Sequence, residues 1–426
     1  MSTTTSRQGP DAPAAPVGTR AWLAVAATMF VVAWGGNEFT PLLVMYREDH
    51  GFSPVVVDVF LFAYVLGIVP GLLLGGPLSD RIGRRPVLIP APFLTIAGSI
   101  VLAAGADSAA LIVAGRILCG VALGLGMAVG GSWIAELSRM DPTIPPGAPA
   151  RRAAMSLTAG FALGAGVAGV LAQWAPWPSG LSYSVHILLS VAAVAAVTRV
   201  PETRAARRDR GPLRDDLRIP AAGHRRFVFV VAPLAPWVFG SAAAAYAVLP
   251  AVMTSRTELP LAFSALMCVV GLGAGFLIQS LGRRIDDPRN SRGVLVALLF
   301  VIAGMVAAAI AATVLTVPVA IVASIVLGCG YGMALVSGLQ EVQRIAGPDD
   351  LAGLTAVFYS LTYLGFATPA IMASLSETFA PVTYPVMFGF GAIAAAVCLV
   401  LVVVKWTAHL PQRGDQAKRV SGSGAA

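Results

Sequence analysis

Residues 76–88 read Gly76-Pro77-Leu78-Ser79-Asp80-Arg81-Ile82-Gly83-Arg84-Arg85-Pro86-Val87-Leu88. Four charges and two glycines fall in this stretch, and apolar runs flank it over 54–78 and 86–105. A helix crosses a hydrocarbon core with about 20 mostly apolar residues, so each run can span a membrane. The charged island between them reads as a loop at the water interface. Gly83 permits a tight turn there, and Gly76 lets the preceding helix approach a neighbour closely. The three arginines mark the side of the bilayer on which the loop lies.

Outward from this loop, runs split at Gly, Pro and charge clusters number twelve. They cover 21–46, 54–78, 86–105, 109–138, 152–174, 181–199, 227–253, 260–281, 293–313, 317–342, 351–376 and 383–406. Composition agrees. Of 426 residues, 57% are hydrophobic and 12% charged. Soluble domains carry roughly 25% charged residues, so there are too few charges here to coat several of them. That excludes a soluble enzyme, a nucleic-acid binder and a disordered scaffold. Four cysteines, Cys119, Cys268, Cys329 and Cys398, lie inside apolar runs without a CxxC pair, so no disulfide framework or metal site is expected. The first run is too long for a signal-peptide core and reads as a retained helix. Only two of the 29 basic residues are lysine, a usage typical of high-GC bacterial genes.

Lys and Arg accumulate in loops on the cytoplasmic side. With the N-terminus inside, 26 of the 29 fall on that side, nine of them between Arg199 and Arg226. Arg47 and Arg256 fall outside, and Arg116 is left within a helix. The net charge of +8 is therefore a record of topology. It predicts a multi-pass protein of a bacterial inner membrane with both termini cytoplasmic, attracted to anionic lipids at that face.

The one long polar interior segment, 200–226, divides the chain into a tail (1–20), a six-helix unit (21–199), a central loop, a second six-helix unit (227–407) and a tail (408–426). The units repeat each other. Gly76-x-Leu78-x-Asp80-x-x-Gly83-Arg84-Arg85 matches Gly275-x-Leu277-x-Gln279-x-x-Gly282-Arg283-Arg284. Gly124-Leu125-Gly126-Met127-Ala128 matches Gly330-Tyr331-Gly332-Met333-Ala334, Glu136-x-x-Arg139 matches Glu341-x-x-Arg344, and Leu157-Thr158-Ala159-x-Phe161 matches Leu354-Thr355-Ala356-x-Phe358. Parallel repeats of six helices with substrate held between them describe one transporter architecture.

The 76–88 loop resembles the signature loop of the major facilitator superfamily, and twelve spans with an internal repeat extend that resemblance over the chain. It implies an all-α membrane protein of two pseudo-symmetric six-helix bundles, and a transporter rather than an enzyme. It also implies that Gly76, Asp80, Arg81, Gly83, Arg84, Arg85 and Glu136 form a conformational latch. Asp80 would face the start of helix 11 near Asp349 and Asp350, Arg84 would pair with Glu136, and the pairs would hold the halves together on the inner side. In the second half Gln279 replaces the acid, so the latch is asymmetric. Pro201-Glu202-Thr203-Arg204 resembles a short motif found after helix 6 in the superfamily.

Two charges inside helices are unexplained by topology, and an intramembrane charge is a functional hypothesis by default. Arg116, in Ala114-Gly115-Arg116-Ile117-Leu118-Cys119-Gly120, resembles the helix-4 motif of proton-driven antiporters. Glu38, in Trp34-Gly35-Gly36-Asn37-Glu38-Phe39-Thr40-Pro41, resembles the embedded acid of multidrug-type antiporters. A lone carboxyl group in an apolar cavity can take up and release a proton. At 1.5 Å per residue both lie roughly 6–10 Å to the outer side of their helix centres, where Asp58 also falls, so the three are candidates for proton coupling. Asn37, Glu38, Tyr64, Trp237, Tyr246, Tyr331, Tyr359 and Tyr363 are candidates for contact with substrate, and Ser241 and Ser337 could line the same cavity. His186 reads as near the outer surface and solvated.

Helix 5 carries Gly160-x-x-x-Gly164-Ala165-Gly166-x-x-Gly169, close to a Gly-rich exporter pattern but with Ala165 in place of Pro. The expectation is a proton-coupled exporter of a small organic molecule, monomeric, powered by the proton gradient without a cofactor and with no nucleic-acid partner. The alternative is a proton-coupled importer of a sugar, organic acid or amino acid.

Overall fold

A computed structural model describes residues 20–141, 143–145, 148–206, 216–285, 290–347 and 350–405, without the side chain of Arg283. Most of the two tails, residues 207–215 of the central loop and Asp349 lie outside these residues. All regular structure among the described residues is helical. Helix α1 is two segments, Ala21–Asn37 and Phe39–Glu48. There follow α2 (Pro54–Ile82), α3 (Arg84–Ala104), α4 (Ala109–Arg139), α5 (Ala148–Trp174), α6 (Pro178–Val197), α7 (Phe227–Arg256), α8 (Pro260–Ile285), α9 (Arg292–Val314), α10 (Val317–Ile345), α11 (Leu351–Thr378) and α12 (Tyr384–Lys405). The last eleven are long and apolar enough to cross a membrane, and α1 completes the twelve. Ser53 and Ser108 start α2 and α4, their hydroxyls accepting from the N–H of Val56 and Leu111, as N-caps do. Large apolar side chains such as Leu188, Leu277, Phe390 and Val400 are exposed. On a bundle of this kind they form the surface that meets lipid.

The charged stretch 76–88 is not a loop. Helix α2 runs through it to Ile82 and α3 begins at Arg84. Gly83 alone makes the turn, at φ +105°, a conformation open to glycine and strained for other residues.

The two halves are packed alike. Helix α2 lies on α4 as α8 lies on α10, and α3 contacts α4 and α6 as α9 contacts α10 and α12. At the α2–α4 crossing, a Cβ on Gly67 would sit 2.1 Å from the Ile117 carbonyl oxygen, and one on Gly120 would sit 2.2 Å from that of Tyr64. Gly71 and Gly124 meet in the same way one turn on, and Gly75 meets Ala128. In the second half Gly271 and Gly275 face Gly328 and Gly332. Small residues four apart let backbones touch, which is how helices associate where no hydrophobic drive exists between them. Gly76 has no neighbour within 4 Å of its Cβ position, so the close approach expected there is made by Gly67, Gly71 and Gly75. Those three lie on the face of α2 that meets α4.

Between the halves, α5 and the second segment of α1 contact α8, and α2 contacts α11. At the face opposite the chain ends, Gly169 abuts Ala265, Gly166 lies against Val269, and the Gln173 side-chain oxygen accepts from the N–H of Leu261 and Ala262. Nearer the chain ends, Thr158 and Phe161 of α5 face Phe276 and Gln279 of α8 across an open pocket. The two helices close the far face and part on the near one.

Candidate functional site

A partly open cavity lies between the halves, with about 370 Å³ of empty space including the part open to solvent. From the first half it is lined by Gly36, Asn37, Thr40, Leu61, Tyr64, Arg116 and Phe161, and from the second by Phe239, Tyr246, Leu272, Tyr331, Tyr363 and Phe366. The structure thus brings Asn37, Tyr64, Tyr246, Tyr331 and Tyr363 to one wall surface. Trp237 and Tyr359 do not line it. Phe239, two residues and about 200° around α7 from Trp237, points inward in its place and stacks on Tyr363 at 4.4 Å and on Phe366 at 4.9 Å. Tyr359 packs beside Phe358. Phe161, Phe239 and Phe366 also line the cavity, and no polar tip distinguishes them in the sequence from lipid-facing or core phenylalanines. Ser241 and Ser337 are buried with side-chain oxygens that lack a partner among the described residues.

Arg116 is completely buried. Its guanidinium lies between the rings of Phe39 and Tyr64, 4.5 and 4.2 Å from their centroids, an arrangement in which cation–π attraction offsets part of the cost of burial. Nη1 donates to the Gly36 carbonyl at 3.2 Å and Nε to that of Phe60 at 3.4 Å. Nη2 and the Tyr64 hydroxyl have no hydrogen-bond partner among the described residues.

Glu38 sits at the break in α1, wholly buried and behind the cavity wall. Pro41 has no N–H for the carbonyl of Asn37, which interrupts the helix at this level. Asn37 bonds across to α5 through the Phe161 carbonyl and accepts from Thr40. The Glu38 carboxyl group receives the Trp34 indole N–H at 3.1 Å and the Ser99 hydroxyl at 3.5 Å. His186 Nδ1 is 3.2 Å from Glu38 Oε1. His186 is therefore not solvated near the outer surface but fully buried against Glu38. Helix α6 starts at Pro178 rather than 181, which puts the ring about 12 Å along the helix. Asp58 stands apart from this group, paired with Arg47 at 2.6 Å.

The 76–88 residues form a second polar cluster. Arg84 pairs with Glu136 and Asp80, at 2.8 Å each, and donates to Ser79. Asp80 also binds Arg204 at 3.4 Å, and Arg81 binds Asp216 at 2.6 Å. Glu202 accepts the backbone N–H groups of Arg84 and Arg85, which caps α3 at a start that has no room for a capping side chain of its own. A Cβ on Gly83 would lie 2.5 Å from that Glu202 carboxylate. Arg85 donates to the Thr198 carbonyl. Among the described residues these pairs join α2, α3, α4 and the segment after α6. The Arg84–Glu136 pair is the expected one, and these contacts lie within the first half and its linker. The carboxylate of Asp80, expected at the start of helix 11, is taken up by the two arginines. In the second half, Glu341 is held by Arg226 at 2.8 Å and Arg344 at 2.7 Å.

Twelve helices in two like halves, a central cavity and this cluster fit a known pattern. The sequence model of the Major Facilitator Superfamily matches residues 23–368. The chain belongs to the major facilitator superfamily. Members of the superfamily similar to it differ in what they carry. A chloramphenicol resistance protein of Pseudomonas aeruginosa is 27% identical over 332 residues, 77% of each chain. An arabinose-proton symporter of Bacillus subtilis is 34% identical over 90 residues, 21% of this chain and 19% of that protein, so this match spans a fifth of the relative. Among solved structures, a D-xylose-proton symporter superposes with a TM-score of 0.67 at 15% identity, over 91% of this chain and 97% of that one. The nucleoside transporter NupG gives 0.69 at 12% identity, over 91% and 99%. At such identities the likeness is one of fold. This superfamily member is thus a transporter and not an enzyme.

Proposed function

We propose that the protein exports a small organic molecule in exchange for protons, by rocking of its two halves about the central cavity. The carrying observation is Glu38: a completely buried carboxyl group at the break in α1, next to Arg116 and directly behind the cavity wall. Its protonation and the binding of substrate would exclude each other, which couples the two fluxes. Export is supported by a relative that matches along most of both chains, the chloramphenicol resistance protein. The short, stronger match to an arabinose-proton symporter supports the second reading, proton-coupled import of a sugar, organic acid or amino acid.

On this reading the protein works as a monomer in a bacterial inner membrane, with both chain ends in the cytoplasm and its arginine-rich face against anionic lipid. The proton gradient supplies the energy without a cofactor. The test is transport by the purified protein in vesicles, with chloramphenicol as first probe and a sugar panel as second. An imposed proton gradient should drive the probe against the direction of proton flow, and Glu38→Gln should abolish gradient-driven flux. Movement of a probe with the protons supports import instead. Gradient-driven flux unchanged in Glu38→Gln removes Glu38 from the mechanism.

A further inference from the structure

The groups around Glu38 set a hydrogen-bonding problem whose solution locates a proton. His186 Nε2 lies 2.9 Å from the Val31 carbonyl oxygen. Ser190 Oγ also lies 3.2 Å from Nε2, but a hydroxyl can accept as well as donate and the nearer carbonyl only accepts, so Nε2 carries the ring hydrogen, shared between the two, and Nδ1 of a neutral ring is bare. That bare nitrogen faces Ser99 Oγ at 2.7 Å and Glu38 Oε1 at 3.2 Å, while Ser99 Oγ is 3.5 Å from the same Oε1. If Glu38 were ionised and His186 neutral, two acceptors would oppose each other with one hydroxyl hydrogen to share, inside an apolar bundle. One proton between Oε1 and Nδ1 removes the conflict. The space for the ring is built into α1: a Cβ on Gly35 would lie 2.5 Å from His186 Cε1. An independent observation completes the arrangement. Arg116 Nη2 is buried without a hydrogen-bond partner among the described residues, although Nη1 of the same group is bonded to Gly36, two residues from Glu38.

We infer that Glu38 and His186 hold the transported proton between them, and that its loss releases the Glu38 carboxylate from His186 to Arg116 Nη2. This rests on the reading of Glu38 as proton carrier. The loaded pair is Oε1–H···Nδ1 or, equivalently, Oε1⁻···H–Nδ1⁺. One proton leaves to water, the charge of the pair falls by one, and Nε2 keeps its hydrogen on Val31. The other titratable groups that sense Glu38 are Arg116 and Cys119 on α4, Tyr46 on α1 and Tyr183 on α6. Helix α3 contributes the hydroxyls of Thr95 and Ser99. Tyr46 and Tyr183 bond each other at 3.1 Å, so Arg116 is the cation in this group and the natural destination for the carboxylate. Proton occupancy would thereby move a charge from the interior of the first half to the cavity wall.

The test reads the proton without any substrate. The full chain is labelled with ¹⁵N-histidine in lipid nanodiscs, with His50, His224 and His409 replaced. His186 should show a protonated Nε2 throughout, and an Nδ1 that changes in a single-proton step as pH rises; Glu38→Gln should remove that step. A bare Nε2, or the same step in Glu38→Gln, overturns the inference. Infrared difference spectra over the same titration give a second readout. The carboxylate band that appears in the wild type should be displaced in Arg116→Gln, and an unchanged band overturns the transfer to Arg116. In vesicles, His186→Gln should lose proton-driven flux while retaining exchange of probe down its own gradient. Proton-driven flux intact in His186→Gln overturns the pair and leaves Glu38 as carrier, whereas its loss only in Glu38→Gln has the same meaning.

Discussion

Asp58 shows how a single residue changes meaning between sequence and structure. Counted along its helix, it falls at the depth of Glu38 and Arg116. In space it belongs to Arg47, with which it forms a pair at 2.6 Å. Breaking a buried pair by removing one partner costs roughly 3 kcal/mol. Asp58→Asn is therefore expected to lower the melting temperature in detergent by several degrees, with partial recovery in the Arg47→Gln, Asp58→Asn double variant. Its proton-driven flux, normalised to folded protein, should stay within a few-fold of wild type. A selective loss of flux at unchanged stability would return Asp58 to the proton pathway. Glu38 and Arg116 were legible in the sequence because a charge within an apolar run is costly wherever it points. His186 was not. A neutral histidine carries no such penalty, and what buries it is the absent side chain of Gly35 on another helix, which no pattern on α6 reports. Glu202 stands in the motif after helix 6, but its role is hidden for a similar reason: it accepts two backbone N–H groups of α3, more than 110 residues earlier in the chain. Glu202→Ala should cost about 1–2 kcal/mol, the range for a lost helix cap, seen as a lower melting temperature that Glu202→Gln only partly restores.

Among the elements, three of the helices that border the cavity, α1, α7 and α11, are interrupted beside it. Proline removes the N–H that would bond the carbonyl four residues before it. Pro41, Pro250 and Pro369 do this to Asn37, Tyr246 and Gly365. At those places α1 breaks at Glu38, α7 widens to a π-helix over Ala244–Val248, and α11 tightens to a 3-10 turn over Leu364–Phe366. Asn37, Tyr246 and Phe366 all line the cavity. Hydropathy counted the twelve spans correctly because membrane thickness fixes helix length. It could not show these interruptions, since a turn of π- or 3-10-helix is as apolar as its surroundings. Such segments are where a packed helix can bend at little cost. Pro41→Ala and Pro250→Ala are expected to straighten α1 and α7, raise or preserve thermal stability, and slow turnover in vesicles several-fold. A turnover equal to wild type in both would show that the breaks are incidental. The glycines of the α2–α4 crossing behave oppositely. Gly120→Leu drives a side chain into the Tyr64 carbonyl and should cost about 1–3 kcal/mol or prevent folding, measured as monodisperse yield in detergent.

At the scale of the whole molecule, α2 packs along both parts of α11, whereas α5 and α8 meet on one face. Helices α5 and α8 touch through Gly166, Gly169 and Gln173 at the face opposite the chain ends, and part toward the other face around Thr158 and Gln279. The charged cluster at the near face ties α2, α3, α4 and the linker to one another, and Ile219 of that linker lies against Gly353 of α11. For substrate to reach both sides of the bilayer, the far-face contact has to open in every cycle. Its construction suits that: glycine and alanine surfaces pack closely but interlock little, and Gln173 holds two N–H groups at the start of α8 rather than a buried ion pair. A covalent tie there should arrest the cycle. With Cys119, Cys268, Cys329 and Cys398 replaced, Gly166→Cys paired with Val269→Cys should transport when reduced. Cross-linking with a short thiol reagent should stop flux, and cleavage of the link should restore it. A linked protein that still transports would mean that the halves exchange access without separating at α5 and α8, and the rocking motion would have to pivot on that contact.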